Sequence, residues 1–235
     1  MSNEPLSPPP AAWTLLESRA PLEGLSLLAS LPWLATAPRG DGHSVLIAPG
    51  FGAGEVSVTP MVRFLERLGY AAGPWGLGRN GGQVMTYVEA LVERLSSRSE
   101  PPISLIGWSL GGVIVREVAR ELPDRVRQVI TLGSPVVGGP KYTRVGNWFW
   151  GSPEDLDRLE AQIHERNLRG IHVPVTSIYS RTDGVVAWRA SVDHYNAHAV
   201  NLPVPGSHLG LGVNPVVWRH LAKLLARPGG GPRPG

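Results

Sequence analysis

A chain of 235 residues is long enough for one domain with a full hydrophobic core and short for two. It has no cysteine, which excludes disulfides, thiolate nucleophiles and zinc-cysteine sites together. The net charge is only +3 with no basic cluster interleaved with aromatics, so nucleic-acid binding is not expected.

The first residues, Met1 to Pro5, lack the basic stretch and apolar run of a secretory signal, which makes a cytoplasmic location the default expectation. Residues 1–12 are rich in proline and 227–235 form a Pro/Gly tail; both are expected to be disordered, on either side of a single domain over 13–226. Between Trp13 and Leu34 the chain is rich in Leu and Ala, but Glu17, Arg19, Pro21, Glu23 and Pro32 interrupt it and rule out an ordinary membrane-spanning helix. Leu22, Leu25, Leu28 or Ala29, and Leu31 recur at helical spacing, which predicts one or two short amphipathic helices. Two readings of this arm stand: packing onto the domain, which is preferred, and a flap or weak membrane-surface contact.

His43 to Ala48 reads as a strand, and Pro49-Gly50-Phe51-Gly52-Ala53-Gly54 as the loop after it. A helix over Thr59 to Leu68, a strand near Tyr70 to Trp75 and a helix over Gln83 to Arg94 follow. Then come the strand of Leu105-Ile106, a helix over Val113 to Glu121, and a strand over Val126 to Leu132. Residues 136–170 break the rhythm and read as a small cap or lid, with Ser152, Pro153, Glu154 and Asp155 marking a helix start. Strands over Val173 to Tyr179 and Ala199 to Leu202 and a helix over Pro215 to Leu225 close the chain. Strands alternating with helices imply an α/β fold with a mostly parallel central sheet flanked by helices.

The stretch Gly107-Trp108-Ser109-Leu110-Gly111 sits where a strand turns into a helix. A serine hydroxyl is a useful nucleophile only when it projects from the scaffold toward a base, and a sharp strand-to-helix turn projects it. Ser109 is therefore the candidate nucleophile. The free N–H of Leu110, at the start of the following helix, is one candidate donor for an oxyanion hole; Phe51, in the loop after the first strand, supplies the other.

Such a nucleophile needs an acid after a later strand and a histidine after the last one. Asp183, in Ser180-Arg181-Thr182-Asp183-Gly184, and His208, in Gly206-Ser207-His208-Leu209-Gly210, meet that order. Asp193 and His198 are the competing acid and base. The remaining histidines read as surface or structural, and no spacing among them suggests a metal site. Gly76-Leu77-Gly78-Arg79-Asn80-Gly81 matches Gly-x-Gly-x-x-Gly, but Glu100, the acid at the right distance, precedes Pro101-Pro102 in a loop, so no cofactor is expected. Of eight tryptophans, Trp75, Trp108, Trp148, Trp150 and Trp188 fall in loops or the cap and are candidates to line an apolar substrate pocket, with plain packing the equal alternative.

Together these residues resemble the α/β-hydrolase superfamily over most of Val45 to Leu225. Within it, Ile130-Thr131-Leu132-Gly133-Ser134-Pro135, Thr176 to Asp183 and Gly206 to Leu211 look like the post-nucleophile strand, acid strand and histidine loop of small bacterial lipases. The Gly-Trp-Ser-Leu-Gly-Gly elbow is similar to that of carboxylesterases that release pimeloyl methyl esters. Ala48-Pro49-Gly50 and Trp108 stand where such lipases usually carry His-Gly and His. The resemblance implies ester hydrolysis through Ser109, His208 and Asp183, with a small-molecule or lipid ester as substrate. Acyl transfer on the same residues and a non-catalytic, ligand-holding hydrolase fold are the alternatives; oligomeric state is not legible.

Overall fold

The computed structural model describes residues 6–146 and 152–227. Six strands, β1 (Ser44–Ala48), β2 (Ala71–Pro74), β3 (Ile103–Trp108), β4 (Val126–Leu132), β5 (Val175–Ser180) and β6 (Val200–Val204), form one sheet in the order β2-β1-β3-β4-β5-β6. Every neighbouring pair is parallel. The two strands that contain proline, β2 with Pro74 and β6 with Pro203, are the edges, where a missing ladder donor costs least.

Alternate side chains of the inner strands feed two cores, one on each face. Ile47, Ile106 and Ile130 pack with Leu65 and Phe64 of the helix Thr59–Arg67 and with Trp218 and Leu221 of the helix Pro215–Leu225. Leu46, Leu105 and Val129 pack on the opposite face with Leu91 and Leu95 of the helix Val84–Ser96 and with Ile114 and Val118 of the helix Leu110–Glu121. Leu105 and Ile106 are fully buried, and each such side chain contributes roughly 2 kcal/mol relative to exposure. The register sets Ala48 beside Gly107 and Trp108 beside Leu132, so three strands end in a row at the place where an α/β sheet offers a crevice.

Several boundaries differ from the sequence reading. The helix after β3 begins at Leu110, three residues before the expected start, because Gly111 and Gly112 carry no side chain to register in an apolar period. Order begins earlier than residue 13: the first helix is Ala11–Leu16, Pro9 is buried, and Leu6 packs against a small cluster with Val136 and Val186. The arm forms three short helices, Ala11–Leu16, Ala20–Ala29 and Leu31–Ala35, and docks on the domain through Leu27 and Leu34. Its expected apolar face is the outer one: Leu22, Leu25, Leu28 and Leu31 are exposed, because Glu17 and Glu23 turn the other side inward onto polar loops. In the cap region a 3-10 turn, Gly139–Tyr142, precedes the helix Pro153–Leu168, whose start is fixed by a capping box between Ser152 and Asp155. Among the described residues no helix is long and apolar enough to cross a membrane.

Candidate active site

Ser109 lies at the end of β3 with φ 53° and ψ −122°, the one non-glycine residue of left-handed φ among the described residues. Such strain of about 1–3 kcal/mol persists only where the surroundings enforce it. Here they do. Ser109 N donates to Leu132 O at 2.8 Å, and a Cβ on Gly107 would collide with the backbone of Gly111 and Gly112. Gly111 in turn lies directly against the carbonyls of Ala48 and Pro49, so the turn, the helix start and the loop after β1 are locked together.

Asp183 and His208, both buried, meet through His208 Nδ1 and Asp183 Oδ2 at 2.7 Å. The second carboxylate oxygen accepts from Val185 N at 2.9 Å and Val186 N at 2.7 Å, which fixes the acid and leaves Oδ2 for the imidazole. The pair stands over the end of β4: a Cβ on Gly133 would lie 3.0 Å from His208 Nδ1 and 3.1 Å from Asp183 Oδ2. Leu132, which binds Ser109 N, is the residue before it. Trp108 Nε1 also donates to His208 O at 3.3 Å, tying the histidine loop to the residue before Ser109. Among the described residues no hydrogen bond joins Ser109 Oγ to His208; contacts of this type tighten when substrate binds.

Burial alone would lower the affinity of His208 for a proton, but the charge and hydrogen bond of Asp183 and the charge of Glu17 outweigh it. The imidazole is held above the ordinary histidine value of 6.5. The rival pair is engaged elsewhere. Burial would raise the Asp193 carboxyl, yet the charge and hydrogen bond of Arg116, at 2.6 Å, and the bonds from Asn196 bring it below the usual value. His198 lines a surface depression with His172 and Tyr195, apart from Ser109.

The loop after β1 closes the other side. A Cβ on Gly50 would lie 3.2 Å from Ser109 Cβ, so the peptide leading to Phe51 passes directly over the serine. That loop is held by a residue the sequence reading passed over. Asn80 is fully buried; its Nδ2 donates to Pro49 O at 2.9 Å, its N–H to Ala53 O at 3.0 Å, and its carbonyl accepts from Gly52 N at 2.8 Å. Arg79 Nε adds a bond to Gly52 O at 2.8 Å. The glycine-rich run Gly76 to Gly81 is thus a buttress for the Phe51 loop, and it does not open a helix, which starts only at Val84.

Phe51, Ser109 and Leu110 all line a cavity of about 310 Å³. Its walls are mainly apolar, from Val113, Pro135, Val136, Val185 and Val186, and the cap helix contributes Leu159 and Ile163. The tryptophan expectation is corrected. Trp75 is fully buried in the core with its Nε1 on Gly78 O, Trp108 packs into the opposite core, and Trp188 stacks on Tyr179 beneath Arg181 and Arg189; none of the three lines the cavity. Trp148 and Trp150 lie outside the described residues.

This fold is shared by solved esterases and lipases. An esterase domain from Rhodothermus marinus superposes with a TM-score of 0.57 at 26% identity, covering 80% of this chain and 87% of that one. A lipase-esterase related protein from Clostridium acetobutylicum superposes with a TM-score of 0.56 at 18% identity, over 80% and 96%. The chain has the α/β-hydrolase fold. No family model matches the chain. In sequence it is similar to a pimeloyl-[acyl-carrier protein] methyl ester esterase of Klebsiella pneumoniae, 27% identical over 178 residues that make up 74% of this chain and 66% of the relative. The chain therefore spans just under two thirds of the length of that relative.

Proposed function

We propose that the protein is a carboxylic-ester hydrolase that works through an acyl-enzyme on Ser109. The observation that carries this reading is the buried His208–Asp183 pair at 2.7 Å, standing beside an elbow serine with φ 53°. Ser109 Oγ attacks the ester carbonyl and passes its proton to His208 Nε2. Asp183 Oδ2, accepting from Nδ1–H, holds the tautomer and stabilises the imidazolium. The oxyanion is received by the N–H groups of Phe51 and Leu110, each such donor being worth roughly 3 kcal/mol. His208 then protonates the departing alcohol, and water, deprotonated by the same nitrogen, releases the acid and restores the serine.

The acyl chain occupies the apolar cavity beneath the cap helix, which lies at the small end of the roughly 300–1,000 Å³ range of ligand pockets. Initial rates on p-nitrophenyl esters of increasing length, for wild type and Ser109→Ala, test the reading. The substitution is expected to lower turnover by about four to six orders of magnitude without unfolding the protein, since triad members act as a unit. A folded Ser109→Ala variant with near-wild-type turnover removes the assignment.

A further inference from the structure

Three charged side chains of the N-terminal arm take no part in this chemistry, yet all face the two loops that carry Asp183 and His208. Glu17 is buried. Its Oε1 accepts from Gly184 N at 2.8 Å and from His208 N at 2.9 Å, and its Oε2 accepts from Leu209 N at 2.9 Å. One carboxylate therefore bridges the residue after the acid and the backbone of the histidine itself. Around it, Glu23 accepts from the N–H and hydroxyl of Ser207 at 2.8 and 3.0 Å. Arg19 pairs with Glu23 at 3.1 Å and donates to Thr182 Oγ1 at 2.7 Å and Gly206 O at 2.6 Å. Close approach of the arm requires glycine at two points: a Cβ on Gly184 would strike the Trp13 carbonyl, and one on Gly210 the Glu23 carboxylate.

Burying a carboxylate costs several kcal/mol unless donors replace its water, and here three main-chain N–H groups do so. Apolar side chains would dock an arm without that cost. What only a carboxylate supplies is a set of acceptors shared between two loops and a negative charge beside a histidine that must become cationic. We propose that Glu17 is a positioning residue for the His208–Asp183 pair, fixing the relative placement of their loops and stabilising the imidazolium formed during turnover. The charged groups facing His208 are Asp183 from the acid loop and Glu17 from the arm; Glu23 and Arg19 act on the flanking Ser207 and Gly206, and the elbow contributes the neutral Trp108. The charge of Glu17 raises the proton affinity of His208, in the same sense as Asp183.

The kinetic part of this inference rests on His208 being the base; the electrostatic part does not, so the test reads both. The His208 imidazole is titrated by NMR in the full-length wild type and in Glu17→Gln, which removes the charge and keeps two of the three acceptor contacts. In parallel, kcat and KM for a p-nitrophenyl ester are followed against pH. The expected result is a lower His208 pKa in the variant, an acid limb of kcat/KM displaced the same way, and kcat reduced on the order of 10- to 100-fold with KM little changed, as small misplacements near a reacting group produce. A shifted titration with no ester turnover in wild type would support Glu17's effect while removing the hydrolase reading. Should Glu17→Gln fail to fold, the same readouts are taken on Glu17→Asp, whose carboxylate retreats by one methylene and should also lower the His208 pKa. A folded variant in which His208 titrates as in wild type overturns the proposal, whatever its melting temperature.

Discussion

Ser109, His208 and Asn80 are each held in place by hydrogen bonds made by or to the backbone. The His208 pKa lies above 6.5, so on the proposed reading kcat/KM should fall as pH drops through a midpoint above that value, because only the neutral imidazole accepts the serine proton. A pH profile with an acid limb below 6.5 would contradict this environment. The same shift favours folding below 6.5, where both folded and unfolded chains are protonated at this site, and that contribution is lost as pH rises through the folded value. Asn80→Ala removes the buried amide that holds Pro49 O and is expected to cost about 1–3 kcal/mol by leaving a buried acceptor without its donor. It should also lower kcat more than it raises KM, because the Phe51 N–H loses its support; unfolding curves and steady-state kinetics check the two effects. The turn at Ser109 and the pairing of Asp183 with His208 were legible in the sequence because each residue lies in a short loop beside a glycine, soon after a strand. Glu17 was not: its bonds cross 167 to 192 residues, and in the sequence it registers only as a charge that spoils an apolar run.

At the scale of elements, the cap helix Pro153–Leu168 is, on the proposed reading, the part of the site that sets acyl length. Leu159 and Ile163 face the cavity from it, so Leu159→Trp should shorten the preferred chain, lowering turnover of long p-nitrophenyl esters while leaving the acetate within about threefold, since filling a pocket discriminates by size. Equal loss on all chain lengths would place the acyl group elsewhere. The helix was legible at its start because Ser152 and Asp155 form a capping box, a local device written in four consecutive residues. The final helix, Pro215–Leu225, starts on a similar device, with Asn214 accepting from Val216 N and Val217 N. The arm was legible as helical but not in its orientation, because leucine spacing locates an apolar face without saying which neighbour covers it. The tryptophans failed likewise: an aromatic after a strand can turn inward, as Trp75 does with its N–H met by Gly78 O, and nothing local records the direction.

Across the whole molecule, the elbow helix and the segment after β5 are joined by the buried pair Arg116–Asp193 at 2.6 Å. Removing one partner of such a pair leaves an uncompensated buried charge, and Asp193→Asn should cost about 3–5 kcal/mol in denaturant unfolding. Because the folded Asp193 pKa lies below its ordinary 3.8, this stability is present above that value and is lost as pH falls through the folded one; the variant's acid unfolding should be correspondingly less steep. The parallel order of the sheet follows from strand-helix alternation and was legible as a class, whereas the coming together of arm, elbow, acid loop and histidine loop is a property of the closed fold alone. On the proposed reading this closure makes Ser109 a nucleophile served by His208. Labelling with a fluorophosphonate, followed by mass spectrometry of the modified peptide, tests it most directly: the adduct should form on Ser109, and His208→Ala should slow its formation by at least about a hundredfold, as loss of the general base requires. Folded wild-type protein that stays unlabelled, or a folded His208→Ala variant that reacts at Ser109 equally fast, would remove His208 as the base that serves this serine.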